Sequence, residues 1–125
     1  MQSSGAKYYV VTTKHHEGFT LWPSKVRHPF GRKDLNCQVD LVGKLKTSLA
    51  KRGVRFGVYY SGGVDWSIKY PNTPTPKQDF YEPYALDHLR ELIQTYEPDI
   101  LWNDFDFPKK YTAIKLHRKK PVRVL

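Results

Sequence analysis

Three short runs of apolar and β-branched residues stand out from an otherwise polar chain: residues 8–13 (Tyr-Tyr-Val-Val-Thr-Thr), 54–60 (Val-Arg-Phe-Gly-Val-Tyr-Tyr) and 99–104 (Asp-Ile-Leu-Trp-Asn-Asp). Each is too short for a helix and predicts a strand, the first buried on both faces and the third buried. Between them the period changes. Asp40 precedes Leu41, Val42, Leu45 and Leu49, with Gly53 just past the end, which predicts a capped amphipathic helix. Ala85, Leu89, Leu92, Ile93 and Tyr96 form the stripe of a second helix over about residues 80–96, ended by Pro98. Residues 14–39 are polar and contain Pro and Gly. Residues 61–79 carry Pro71, Pro74 and Pro76 and predict a second long loop. Beyond Pro108 the pattern predicts a weak helix over 111–119 and a fourth strand over 122–125.

Strands alternating with helices predict an α/β fold with a parallel sheet of right-handed β-α-β crossovers. The loops that follow strands are long and rich in polar and aromatic residues, whereas those that follow helices, at Gly53 and at Glu97-Pro98, are very short. In α/β folds ligands lie at the carboxyl ends of the strands, so this asymmetry marks one functional face.

Composition narrows the field. The 125 residues are 39% hydrophobic, 14% aromatic and 26% charged, as in an ordinary globular domain. They fall well short of the roughly 250 of a closed eight-stranded α/β barrel. No apolar run approaches the roughly 20 residues of a membrane span, so none is expected. Cys37 is the sole cysteine, which excludes an internal disulfide and a multi-cysteine zinc site. The N-terminal run shows no apolar core of a signal peptide, and localisation stays open. The formal charge of +9 suggests nucleic acid until it is located: Lys109, Lys110, Lys115, Arg118, Lys119, Lys120 and Arg123 supply +7 of it. The first 108 residues are nearly balanced, so no nucleic-acid partner is expected. An unrelated basic module acting through residues 109–125 is the weakest reading.

Each principal strand ends in reactive groups: Lys14-His15-His16-Glu17, Tyr59-Tyr60-Ser61-Gly62-Gly63 with Asp65 and Trp66, and Trp102-Asn103-Asp104. Parallel strands bring these ends together. Imidazoles, phenols, indoles and carboxylates in one pocket suit a sugar, with aromatics for C–H faces and a carboxylate for the anomeric carbon. Ile100, Trp102 and Asp104 share a strand face by alternation, which puts Asp104 at its open end. Asp104 is then either a nucleophile or the cap of a helix after Pro108. His15 and His16, as neighbours at a strand end, are expected to diverge and to make a poor chelating pair. They bind hydroxyls or pack in the core. Tyr59 and Trp102 likewise line either the ligand or the core.

Together the segments Lys14-His15-His16-Glu17-Gly18-Phe19, Arg55-Phe56-Gly57-Val58-Tyr59-Tyr60-Ser61-Gly62-Gly63 and Tyr96-Glu97-Pro98-Asp99-Ile100-Leu101-Trp102-Asn103-Asp104 resemble the α-L-fucosidases of glycoside hydrolase family twenty-nine, in order and spacing. The resemblance covers about residues 5–108. It implies a (β/α)8 catalytic barrel and retaining hydrolysis of α-L-fucosides, with fucosylated glycans as partners and no metal or organic cofactor. It also implies Asp104 as nucleophile and His15, His16, Tyr59 and Trp102 as sugar-binding residues. The family's general acid/base segment, which lies well beyond the nucleophile, has no match among Glu17, Glu82, Glu91 and Glu97. Residues 1–125 are therefore expected to form a partial TIM-like barrel of three to four β-α units, with a basic, divergent segment at 109–125. Such a chain is expected to be inactive alone and open to self-association through its sheet edges. A non-catalytic carbohydrate-binding or interaction protein that retains the sugar subsite is the alternative.

Overall fold

The computed structural model describes residues 5–68, 78–104 and 123–124, with side chains undescribed at 78, 79 and 124. Its elements are β1 (Tyr8–Lys14), α1 (Leu41–Ala50), β2 (Arg55–Ser61), a 3-10 turn (Trp66–Ile68), α2 (Gln78–Tyr96), β3 (Ile100–Asp104) and β4 (Arg123–Val124). The four strands form one parallel sheet in the order β1-β2-β3-β4, as the alternating pattern requires. The expected fourth strand thus exists, though short. The expected helix over 111–119 and most of the basic segment lie outside the described residues.

Local chemistry explains the helix ends. Asp40 caps α1, its Oδ1 accepting the Gly43 N–H at 2.8 Å, and the same oxygen accepts the Tyr96 hydroxyl at 2.7 Å. One carboxylate therefore starts α1 and pins the end of α2. Gly53 (φ 65°) reverses the chain after α1 in the left-handed region where a side chain is disfavoured. Helix α2 begins two residues before the predicted start and holds Pro83 in its interior, where one backbone N–H is lost from the helical ladder.

The two faces of the sheet differ. Phe56, Val58, Tyr60 and Leu101 pack against Val42, Leu49, Ala85, Leu89, Leu92 and Ile93 of the helices. The opposite face carries exposed Tyr8, Thr12, Arg55 and Trp102 and a buried Tyr59, and it is closed at its centre. There Val10 and Ile100 crowd Gly57 so closely that an added Cβ would lie 2.9 Å from Val10 Cγ2. The expectation that the first strand is buried on both faces and the third is a buried strand is therefore corrected. Tyr8 is 56% and Trp102 47% exposed, because among the described residues helices cover one side only.

Strand β1 carries an irregularity that sequence alternation does not show. Thr12 pairs with Tyr59, but it is Lys14 that pairs with Tyr60, so Thr13 is the extra residue of a bulge. Thr13 is held there by its hydroxyl, which donates to the Tyr59 carbonyl at 2.7 Å. The bulge turns Lys14 onto the helix side, with its Nζ 4.8 Å from the centre of the Tyr60 ring.

Candidate active site

The strand ends bring the expected site residues into one cluster. Trp102 is the register partner of Tyr59, and Asp104 that of Ser61, so all four lie on the face opposite the helices, Tyr59 and Ser61 being buried there. Tyr59 Oη donates to Asp104 Oδ2 at 2.6 Å. Gly62 and Gly63 turn both their N–H groups to the Asp104 carbonyl, at 3.2 and 3.1 Å, and thereby fix the end of β3. The competing role of Asp104, capping a helix after Pro108, falls outside the described residues.

The histidines do not diverge. Their rings stack with centroids 3.9 Å apart, because β1 ends at Lys14 and residues 15–18 form a turn closed by Gly18 N–H to His15 O at 3.1 Å. Strand alternation no longer applies in such a turn. His15 also stacks on Tyr59 at 5.9 Å, and Tyr59 meets Trp102 edge-on at 5.5 Å. At the other end His16 meets Trp66 edge-on at 5.5 Å. Five rings thus form an arc, with an exposed indole at each end and Asp104 tethered to its Tyr59 member.

Hydrogen bonds fix the state of His16. Ser61 Oγ donates its one proton to the Val64 carbonyl at 2.9 Å, so at 2.7 Å from His16 Nδ1 it must accept, and Nδ1 carries the hydrogen. Burial, with the neighbouring His15 second, holds the His16 pKa below the ordinary histidine value, which favours the neutral ring with Nε2 as an acceptor. The Tyr59 phenol is pushed well above its ordinary value, mainly by burial and then by Asp104, so it keeps its proton and remains a donor.

Among the described residues no group of three His, Cys, Asp or Glu side chains is placed to hold a metal ion, and no helix is long and apolar enough to cross a membrane. A cavity of about 420 Å³ lies elsewhere, between residues 20–38 and α2, and none of the strand-end cluster borders it.

Sequence reasoning placed Ser61, Asp65, Trp66 and Lys14 at the strand ends without giving them a role, and it missed the buried ion pair behind the histidines. Lys14 Nζ lies 2.7 Å from Asp65 Oδ2, and both side chains are fully buried. Burial lowers the Lys14 pKa despite the attraction of Asp65. The signal available was a lysine at the end of a predicted buried strand, where only a paired charge is tolerated. Glu91 is committed to structure. It accepts from Trp22 Nε1 at 2.8 Å, from the Ser24 hydroxyl at 2.5 Å and from the Lys25 N–H at 2.8 Å.

Comparison with known proteins is consistent over the whole described region. Residues 1–124 match the family model described as Alpha-L-fucosidase. The chain is 41% identical over 107 residues to the tissue alpha-L-fucosidase of Homo sapiens, covering 82% of this chain and 23% of that protein. It is 38% identical over 117 residues to the alpha-L-fucosidase of Branchiostoma floridae, covering 90% and 26%. The fold matches Thermotoga maritima alpha-fucosidase in complex with fucose with a TM-score of 0.74 and 41% identity, over 87% of this chain and 28% of that one. The chain thus spans about a quarter of the length of the curated relatives it matches.

Proposed function

Since the chain belongs to the alpha-L-fucosidase family, we propose that its strand-end cluster binds an α-L-fucosyl group and that Asp104 is the nucleophile of a retaining double displacement. A carboxylate oxygen of Asp104 forms a bond to the anomeric carbon as the bond to the leaving oxygen breaks. Water then attacks the same carbon, releases fucose and restores the carboxylate, so two inversions retain configuration. His15, His16, Tyr59 and Trp102 bind the sugar, with His16 Nε2 accepting from a hydroxyl and the aromatic rings taking its C–H faces. The observation that carries this reading is the 2.6 Å bond from Tyr59 to Asp104, which ties the proposed nucleophile to the arc of rings.

Residues 1–125 are proposed to be part of a catalytic (β/α)8 barrel. The sheet runs in chain order with no reversal, as strands in a barrel do, whereas a doubly wound sheet changes direction at a switch point. The partner is a fucosylated glycan, and copies of the chain associate through the edges of the sheet.

A retaining enzyme also needs a second carboxyl about 5 Å from the first to protonate the leaving oxygen. Among the described glutamates, Glu82 is buried on α2, Glu91 is committed to the 22–25 loop, and Glu97 occupies the turn that enters β3, at the opposite end of that strand from Asp104. This chain alone is proposed to turn over aryl α-L-fucosides negligibly. Efficient turnover would instead point to Glu17, whose carboxylate lies 3.5 Å from His15 Nδ1.

α-L-Fucosyl fluoride tests the assignment, because fluoride departs without an acid. The expected result is a covalent fucosyl adduct mapped to Asp104, absent in Asp104→Gly, with azide restoring C–F cleavage in that variant. Binding of L-fucose with no adduct would leave a carbohydrate-binding module. Label on another residue, or no binding at all, would overturn the reading.

A further inference from the structure

We propose that the buried ion pair of Lys14 and Asp65 is a positioning clamp that sets the proposed sugar-binding histidines against the 61–67 segment. The inference rests on reading the strand ends as a fucosyl site. Both side chains are fully buried, so neither touches a ligand, and whatever they contribute passes through other residues.

Stability alone is a weak reason to keep such a pair. Desolvation of two charges offsets most of their attraction, and well-packed apolar residues of similar volume are often as stable or more so. Geometry is the stronger reason. Asp65 uses both oxygens: Oδ2 holds Lys14, while Oδ1 accepts the Ser67 N–H at 2.9 Å and also the Ser67 hydroxyl. Ser67 Oγ in turn lies 3.0 Å from His28 Nε2. His28 Nδ1 accepts the Phe30 N–H at 3.1 Å, so Nε2 is the protonated nitrogen and donates to Ser67. A continuous chain therefore runs from His28 through Ser67 and Asp65 to Lys14.

This chain grips the histidine turn at several points. Trp66, between Asp65 and Ser67, donates its N–H to the His16 carbonyl at 2.6 Å. Gly18 (φ 86°) closes the turn so tightly that a Cβ would lie 2.6 Å from Ser67 Oγ and 2.8 Å from Asp65 Oδ1. The Thr13 bulge is what directs Lys14 to the helix side, where Asp65 meets it. Without the clamp the two segments keep the His16 contacts and the close approach at Gly18, but the Nδ1 bond from His16 to Ser61 loses the support of the ion pair behind it.

The test compares the wild-type chain with the apolar double variant Lys14→Met/Asp65→Leu, and with Asp65→Asn, which keeps an acceptor for Ser67. The first readout is nitrogen-15 NMR of the His16 ring, which reports the tautomer without any ligand. The second is titration with L-fucose. The double variant is expected to melt cooperatively, yet to show His16 as a mixture of tautomers and a dissociation constant for L-fucose at least tenfold higher. Asp65→Asn is expected to shift both readouts the same way, and it decides the matter if the double variant does not fold. Wild-type His16 spectra with wild-type fucose affinity in a folded variant would overturn the clamp. If the wild-type chain itself does not bind fucose, the functional reading fails, while the tautomer readout still decides the clamp.

Discussion

Tyr59 and Asp104 lie on adjacent strands one register step apart on the same face, and the phenol donates to the carboxylate at 2.6 Å. Neutral donor and acidic acceptor make this a charge-assisted bond, of a kind worth about 1.5–3 kcal/mol. Tyr59→Phe keeps the ring against His15 and Trp102 and removes only this bond. The rate of Asp104 labelling by α-L-fucosyl fluoride should fall by about ten- to a hundredfold, with folding stability lowered by no more than the bond's own roughly 1.5–3 kcal/mol. An unchanged labelling rate would show that the bond plays no part in orienting the nucleophile.

Asp40 links two helices through one oxygen, with Gly43 N–H and Tyr96 Oη both bonded to Oδ1. Asp40→Ala should therefore cost more than the roughly 1 kcal/mol of an ordinary cap, about 2–3 kcal/mol in all, because a buried phenol also loses its acceptor. Asp40→Asn retains an acceptor oxygen and should recover much of that loss. Urea unfolding of the three proteins measures it. Equal stability of the alanine and asparagine variants would contradict the double role.

Much of this was legible in the residues. The Asp40 cap, the stripe from Ala85 to Tyr96 and the tight turns at Gly53 and Pro98 encode their own structure locally. Parallel pairing then places Tyr59, Trp102 and Asp104 together by alternation. The stacking of His15 and His16 was not legible, because it depends on a one-residue bulge and on where β1 stops. Nor was the partner of Lys14, since Asp65 is 51 residues away in a segment with no periodic pattern. Exposure of Tyr8 and Trp102 was hidden for a different reason: a run of apolar residues indicates a capacity to be covered, while the cover itself comes from elsewhere.

The exposed part of β1 carries a prediction about association. Residues 20–21 fold back on the end of this strand, where Leu21 N–H bonds to Thr13 O at 2.9 Å, but Tyr8 and Tyr9 remain exposed. An aromatic edge of this kind favours pairing with another chain, and lysine at the edge opposes it. Sedimentation velocity should show concentration-dependent association that Tyr8→Lys/Tyr9→Lys weakens. A monomer at every concentration, in both proteins, would count against edge pairing.

Buried histidines make stability depend on pH with a definite sign. His88 is enclosed by Trp22, Tyr60 and Tyr84, and its Nδ1 lies 3.0 Å from Tyr60 Oη, which keeps its proton because burial raises the phenol far above its ordinary value. The hydroxyl and the imidazole thus share one hydrogen bond between neutral groups. Burial, with Lys14 and His28 adding to it, holds the His88 pKa well below the ordinary histidine value of 6.5. In the unfolded chain the same ring takes up a proton as the pH falls through 6.5, so below that point the unfolded state binds more protons than the folded one. Stability must then fall with falling pH, by up to about 1.4 kcal/mol per pH unit for one such group. His16 and His28 are shifted in the same direction and add to the slope. Urea unfolding between about pH 7 and pH 5 should show this loss, and His88→Asn, which offers Tyr60 a polar partner that does not titrate, should flatten the curve. A slope identical in the two proteins would mean that His88 is charged in the folded state, and that its environment is more polar than the ring of aromatic neighbours around it.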